Sequence, residues 1–329
     1  MFRNKKILIT GANGFVGSHL LDNLSQEKSL KIFCLKKVNA NMENVKQHLF
    51  SNNISWIDGD LTDYQSINRL IEISKPDYVF HLAALSWVSP SFYMPSAYMT
   101  VNALGTINLF EAIISHKINP RIFVSCTPEE FGDVKKNELP ITEESRVYPV
   151  NHYAASKVAE DAVCMSYFSV NKLNIIRMRA FNHEGPRRKT HGAISSFAYQ
   201  IASIEHGLNK SNIIQVGNLS AKRNFTHVLD MIEAYKAAIK YGKCGELYLA
   251  GSENIYSIKE CLSKLIKLST NNKIKYKIVK SRVRKTELNY LIGSYRKFKK
   301  ISKWSPKLSI DDILLDTLNY WRDYLKNIN

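Results

Sequence analysis

Tyr153 and Lys157 stand four residues apart in Tyr153-Ala154-Ala155-Ser156-Lys157, so a helix there brings both side chains to one face. A lysine ammonium beside a phenol stabilises the phenolate, which predicts a Tyr153 pKa drawn down from about 10 towards the working pH. Such a phenol can take the proton of a substrate hydroxyl while hydride leaves the same carbon. In Thr127-Pro128-Glu129, 24 residues before Tyr153, Glu129 offers a carboxylate base. Glu130 is the neighbouring alternative, but alternation along a strand would send it to the opposite face. A redox dyad together with a carboxylate base suggests more than simple oxidation.

These groups need a frame to hold them, and the N-terminus reads as the start of one. Lys6-Ile7-Leu8-Ile9-Thr10 is a β-branched run, Gly11-Ala12-Asn13-Gly14-Phe15-Val16-Gly17 a glycine turn, and Ser18 to Leu24 a helical stretch. A strand, a glycine turn and a helix in that order present backbone N–H groups to a pyrophosphate. Strand-like runs at 7–10, 31–35, 54–58, 78–82 and 121–125 alternate with amphipathic stretches, notably 64–74 and 98–115. The rhythm predicts an α/β fold, a doubly wound parallel Rossmann-type sheet whose ligands bind beyond the carboxyl ends of the strands. The second strand ends Leu35-Lys36-Lys37 with no acidic residue for an adenosine ribose. Basic residues there neutralise a 2′-phosphate, so the expected cofactor is NADP, with NAD as the alternative.

The chain has 329 residues, 45% of them hydrophobic, enough for a large core. No apolar stretch approaches the roughly 20 residues of a membrane span, so no membrane partner and a cytoplasmic location are expected. Cys34, Cys126, Cys164, Cys244 and Cys261 form no paired spacing, which indicates neither a metal site nor a disulfide framework. The formal charge is +17, and residues 271–329 hold 15 lysines and arginines against five acidic residues. Without a basic helix carrying interleaved aromatics, that balance suits anionic nucleotide ligands better than nucleic acid.

Gly-x-x-Gly-x-x-Gly followed by Tyr-x-x-x-Lys resembles the extended short-chain dehydrogenase/reductase family of nucleotide-sugar enzymes, and the matches run almost from end to end. The resemblance implies that Gly11, Gly14, Phe15, Val16, Gly17, Lys36, Lys37, Asp60, Leu61 and Asn102 bind the cofactor with Tyr153 and Lys157. Ser86 would meet the sugar. Phe123 to Gly132 is similar to the Ser-Thr-x-Glu-x-Tyr-Gly segment of sugar 4,6-dehydratases, with Cys126 and Phe131 as departures. Thr127 would bond the sugar C4 oxygen and Glu129 would be the base. Where many dehydratases carry Asp or Ser as an acid, this chain has Pro128, which can neither donate nor relay a proton.

Arg179-Ala180-Phe181-Asn182-His183-Glu184-Gly185-Pro186-Arg187-Arg188 resembles the Asn-His-Glu-x-Pro-Arg-Arg segment of GDP-mannose 4,6-dehydratases. It implies diphosphate, phosphate or ribose contacts for Asn182, Arg187 and Arg188. Gly217 to Phe225 and Arg284-Lys285-Thr286-Glu287 resemble further segments of that group and of its GDP-4-keto-6-deoxymannose reductase relatives. They add Arg223, Arg284 and Glu287 as contacts to the GDP moiety. Asn224 stands where an Asp is usual. The implied organisation is a mainly dinucleotide-binding domain over 1–178 and a smaller C-terminal GDP-sugar lobe over 179–329, with segments near 211–240 returning to the first. The implied protein is a GDP-sugar 4,6-dehydratase of deoxysugar biosynthesis for cell-surface polysaccharide, acting on GDP-mannose or GDP-manno-heptose as a homodimer or homotetramer. A GDP-4-keto-sugar reductase, C4 oxidase or epimerase is the enzymatic alternative, and a non-catalytic dinucleotide-binding regulator the alternative of another class.

Overall fold

Ile7, Leu8 and Ile9 are fully enclosed, the burial on both faces expected of a strand in the middle of a parallel sheet. The computed structural model, which describes residues 2–283 and 286–327, builds an alternation around this strand, β1 (Lys6–Thr10). It continues with α1 (Phe15–Ser25), β2 (Lys31–Lys36), β3 (Ile54–Asp58), α2 (Tyr64–Ser74) and β4 (Tyr78–His81). Next come α3 (Val88–Ser91), α4 (Pro95–Met99), α5 (Gly105–Ser115), β5 (Arg121–Cys126), α6 (His152–Asn171) and β6 (Ile175–Ala180). Helix α2 starts where the Asp63 carboxylate accepts from the N–H groups of Gln65 and Ser66, a cap that satisfies otherwise orphaned donors.

A π-helical turn over Thr100–Leu104 joins α4 to α5. The continuous helix Pro95–Ser115 has 21 residues and is long and apolar enough to cross a membrane by length and composition. This corrects the expectation that no stretch approaches that length. Half of its most apolar window is buried because the helix packs against α2 and α6, which accounts for its composition as that of a core helix.

The later elements are β7 (His183–Glu184), α7 (Ala193–Glu205), β8 (Ile213–Val216), β9 (Lys222–Asn224), β10 (Thr226–His227) and α8 (Val228–Tyr241). They are followed by β11 (Leu247–Ala250), β12 (Ile255–Ser257), α9 (Ile258–Lys267), β13 (Lys275–Ile278), β14 (Tyr290–Leu291), α10 (Arg296–Ser302) and α11 (Ile310–Lys326). Strand β11 completes a seven-stranded sheet of order β11-β6-β5-β4-β1-β2-β3, in which every pairing is parallel. The doubly wound parallel sheet expected from the alternation is the sheet the chain forms. Helix α8 returns to pack on α1, β5 and β6, whereas β8 pairs with β13 and β9 lies between β12 and β14. A separate core gathers on α7, α9 and α11, where Ile201, Leu262, Leu265, Ile313 and Leu318 are fully enclosed.

Candidate active site

Gly11 adopts φ +76°, and a Cβ there would stand 2.8 Å from the Ala83 nitrogen. A Cβ on Gly17 would stand 2.1 Å from the Gly11 carbonyl oxygen. The turn between β1 and α1 therefore closes on itself and on the end of β4 with no room for a side chain. It leaves a backbone cradle suited to a pyrophosphate. The cradle opens into a cavity of about 1270 Å³ lined by Gly11, Gly14, Phe15, Val16, Gly17, Lys37, Asp60, Leu61 and Ser86. The same cavity runs on to Thr127, Glu129, Tyr153 and Lys157, and beyond them to Asn182, Arg187, Arg188, Arg223 and Glu287. Among the described residues, no group of three or more His, Cys, Asp or Glu side chains could hold a metal ion.

Helix α6 presents the dyad. Asn151 caps it, its Oδ1 accepting from the Ala154 N–H at 2.8 Å, and the helix then runs for 20 residues. Lys157 Nζ donates to the Ser125 carbonyl at 2.7 Å and forms a buried ion pair with Glu160. Burial opposes the ammonium charge, yet Glu160 and Tyr153 hold the Lys157 pKa above its ordinary value. Tyr153 departs from the expectation of a lowered pKa. Burial pushes its phenol up to about 12, outweighing the pull of Lys157 and a bond with Thr127. The reason is the company of Val88 and Tyr98, which enclose the ring, since a buried phenolate loses its hydration.

After β5, Pro128–Phe131 forms a short 3₁₀ turn whose N-cap is Thr127. The Thr127 N–H donates to Glu130 Oε1 at 3.0 Å. Glu130 is fully enclosed and pairs with Arg179 at 2.8 Å. It does point away from Glu129, although a helical turn and a capping box, not strand alternation, send it there. Glu129 stays at the cavity, with Asn151 Nδ2 donating to its Oε2 at 3.1 Å.

Two expected cofactor contacts are placed elsewhere. Lys36 sits opposite Asp58 in the β2–β3 register and pairs with it outside the cavity lining. Asn102 is fully enclosed: its Oδ1 accepts from the Leu85 N–H at 2.8 Å and its Nδ2 donates to the Ser156 hydroxyl at 2.9 Å. It positions α6 and the loop after β4 and does not reach the cavity. Lys37 does line the cavity and pairs with Asp60 at 2.7 Å.

At the far end, Arg223, which lines the cavity, donates to the Leu288 carbonyl at 2.7 Å and the Lys222 carbonyl at 2.8 Å, bonds that tie β9 to the segment leading into β14. Asn224 Nδ2 donates to the Gly293 carbonyl at 3.1 Å, while its Oδ1 accepts from the Gly293 N–H at 3.1 Å. Asn218 Nδ2 donates to Glu287 Oε2 at 3.4 Å. Arg284 lies outside the described residues.

A model of the GDP-mannose 4,6 dehydratase family matches residues 8–317. The chain belongs to that family. It is 28% identical to the GDP-6-deoxy-D-mannose reductase of Pseudomonas aeruginosa over 98% of this chain and 99% of that one. It is 31% identical to the human dTDP-D-glucose 4,6-dehydratase over 80% of this chain and 74% of that one. The solved structure of RMD from Pseudomonas aeruginosa complexed with NADPH superposes with a TM-score of 0.82 at 27% identity, covering 98% of this chain and all of that one. The protein is thus a member of the NAD(P)-dependent sugar-nucleotide dehydratase and reductase enzymes, with the extended short-chain dehydrogenase/reductase fold.

In this family member the loop after β7 carries contacts that motif reading missed. The Arg187 guanidinium pairs with Asp22 of α1 at 2.6 Å, and Asp22 also holds His48 at 2.6 Å. Arg188 pairs with Glu184 at 3.0 Å and lies over the rings of Phe15 and Trp87 at 5.2 and 5.6 Å. His191 stacks on Trp87 with ring centroids 4.6 Å apart. Arg282, also at the cavity, donates to the Ser196 hydroxyl at 3.0 Å. Nothing in the local spacing of Trp87, His191 or Arg282 marks them, because their partners come from distant segments. His183 stacks on Phe15, and burial lowers its pKa to about 4, so its ring is neutral.

Proposed function

We propose that this enzyme is a GDP-sugar 4,6-dehydratase that acts on GDP-mannose or GDP-manno-heptose with NADP. The observation that carries the reading is the position of Glu129, which lines one cavity with Thr127, Tyr153 and Lys157 and is held by Asn151. The glycine turn would hold the dinucleotide, which supplies a hydride acceptor for C4 and a hydride donor for C6. Tyr153 takes the proton of the C4 hydroxyl, Lys157 stabilises the phenolate that requires, and Thr127 orients the C4 oxygen. With C4 a ketone, the C5 proton is acidic enough for Glu129 to remove. The C6 hydroxyl must leave as water. Pro128 has no proton to give, so the proton that Glu129 takes from C5 is the one returned to the departing oxygen, and the hydride returned to C6 is matched by a proton from water at C5.

Support for NADP comes from Lys37 at the cavity, from the absence of an acidic residue in Leu35-Lys36-Lys37 and from the NADPH in the Pseudomonas structure. A second reading, reduction of a GDP-4-keto sugar at C4, draws on two observations. Pro128 removes the usual acid, and a phenol held at about 12 stays protonated at neutral pH, ready to donate to a ketone oxygen.

Product mass separates these readings. Incubation with GDP-mannose or GDP-manno-heptose and NADP should remove the mass of one water. Loss of two hydrogens with NADPH accumulating would instead mean C4 oxidation alone. Turnover only of a 4-keto sugar with NADPH would establish the reductase, and cofactor binding without turnover of any GDP-sugar the regulator. Glu129→Gln should lower elimination by about 10²- to 10⁴-fold while sparing C4 redox; full dehydration by this variant would reject Glu129 as the base.

A further inference from the structure

We propose that the amino edge of the seven-stranded sheet, the edge away from the cavity, is a docking face for the surface of an anionic lipid bilayer. The inference goes beyond the reaction proposed above and does not rest on it.

Because the sheet is parallel, the segments that enter its strands gather at one edge and those that leave gather at the other. Segments 1–5, 26–30, 49–53, 75–77, 116–120, 172–174 and 242–246 lead into the seven strands. Backbone bonds join them across the edge: the Lys31 N–H donates to the Lys5 carbonyl at 3.0 Å, Asp77 to Lys6 at 2.9 Å and Arg121 to Asp77 at 3.0 Å. With the first residues of β1, β2 and β5, which are Lys6, Lys31 and Arg121, these segments hold ten lysines and arginines against three acidic residues. The exits at 11–14, 37–42, 59–63, 82–87, 127–132, 181–182 and 251–254 hold one lysine against five acidic residues. Charge is therefore polarised across the sheet, positive at the edge away from the cavity. Its acidic exceptions are partly spent, since Asp77 pairs with Lys5 at 3.1 Å, Glu246 with Lys297 at 2.7 Å, and Glu27 accepts from the Ser29 hydroxyl at 2.7 Å.

Among the described residues, six other than glycine have a positive φ, and Asn4, Lys75, Lys117 and Lys172 at this edge are four of them. The three lysines close α2, α5 and α6 with φ +38°, +52° and +58°. Such helix ends favour glycine, which has no Cβ to crowd the backbone. A cation there does meet the negative end of the helix dipole, and Lys172 Nζ donates to the Ser169 carbonyl at 2.7 Å. That local reason covers one lysine at a time, but not the apolar residues set beside them.

Ile73, Val170 and Tyr241 are 51%, 75% and 44% exposed. Each stands two residues before an exposed lysine, respectively Lys75, Lys172 and Lys243. A single exposed apolar residue is ordinary. The same pairing at the ends of α2, α6 and α8, which all run to one edge, is the pattern a bilayer surface takes: the apolar chain enters the acyl boundary while the ammonium meets headgroup phosphates. A polynucleotide would use stacking aromatics instead, and the aliphatic Ile73 and Val170 offer it none. Docking of this kind needs no spanning helix and leaves the cavity at the opposite edge open to solution.

Sedimentation with vesicles tests the face. The full chain should bind vesicles of phosphatidylglycerol mixed with phosphatidylcholine, leave pure phosphatidylcholine unbound, and be released by salt, which screens the lysines. Lys75→Gly, Lys117→Gly and Lys172→Gly together remove three charges and give each helix end the residue its conformation prefers, so this variant folds. At about fivefold per lysine, its partition onto the anionic vesicles should fall by about 10²-fold, with dinucleotide binding unchanged. Ile73→Ser with Val170→Ser should also weaken that partition, and full retention by this pair overturns the lipid assignment. No binding of the wild-type chain to anionic vesicles, or undiminished binding by the glycine variant, overturns the inference. Binding to a polynucleotide or to polyglutamate without binding to vesicles overturns it too.

Discussion

One amide ties the proposed base to the helix that carries the redox dyad: Asn151 Nδ2 donates to Glu129 Oε2 at 3.1 Å while its Oδ1 accepts from the Ala154 N–H at 2.8 Å. The cap and the carboxylate are thereby set by the same side chain, and substitutions can separate the two roles. Asn151→Ala should cost about 1 kcal/mol of stability through the lost cap and lower turnover as well. Asn151→Asp keeps a capping oxygen but sets a second carboxylate against Glu129. Its melting temperature should stay near wild type while elimination falls about tenfold or more. Full activity in Asn151→Asp would count against the tie.

Lys36 and Lys37 are neighbours in sequence with opposite surroundings. Lys37→Ala should weaken NADPH binding relative to NADH by about tenfold, the loss of one charged contact to a phosphate. Lys36→Ala should leave both affinities unchanged, because Lys36 faces Asp58 outside the cavity lining. Fluorescence titration with the two dinucleotides checks both, and equal effects of the two substitutions would return Lys36 to the cofactor site.

The glycine turn makes a graded prediction. Gly17→Ala puts a methyl 2.1 Å from the Gly11 oxygen, whereas Gly14→Ala puts one at 3.1 Å from the same atom. The first must distort the turn and should weaken dinucleotide binding by about tenfold or more. The second needs a shift of only a few tenths of an ångström and should cost less. Isothermal titration that reversed this order would contradict the turn geometry.

Glu205, at the end of α7, accepts from Arg322 of α11 through Nε at 2.7 Å and Nη2 at 2.8 Å. Burial opposes its charge, but hydrogen bonds from Arg322, Ser269 and Thr270 hold its pKa at about 2, below the ordinary 4.5. A carboxyl depressed in the folded state adds stability above its unfolded pKa and loses it as pH falls through the folded one. Glu205→Gln should therefore cost about 1–3 kcal/mol at neutral pH, and the gap should close as pH drops from about 4.5 to 2. Urea denaturation across that window is the check, and a gap that widened on acidification would contradict an ionised Glu205.

Features with a local cause were legible in the sequence. The strand, glycine turn and helix at 6–25 follow from β-branched runs and glycine spacing, and α2 begins one residue after its cap, Asp63. The four-residue interval of Tyr153 and Lys157 needs only a helix to bring them together. Even the divergence of Glu129 and Glu130 is legible there, though the geometric reason differs.

What the sequence by itself determined, then, was the alternation that builds the sheet and the cavity at its carboxyl edge, because both depend on short-range periodicity. Tertiary structure decided the charges within that cavity. The Tyr153 pKa moves upward because Val88 and Tyr98, from segments more than 50 residues away in sequence, remove its water. Lys36 lies outside the cavity lining, paired with the Asp58 that the β2–β3 register sets opposite it. Arg187 meets Asp22 across a gap that no local pattern spans. Desolvation and pairing depend on which distant atoms surround a group, and the order of residues along the chain specifies that only once the chain has folded.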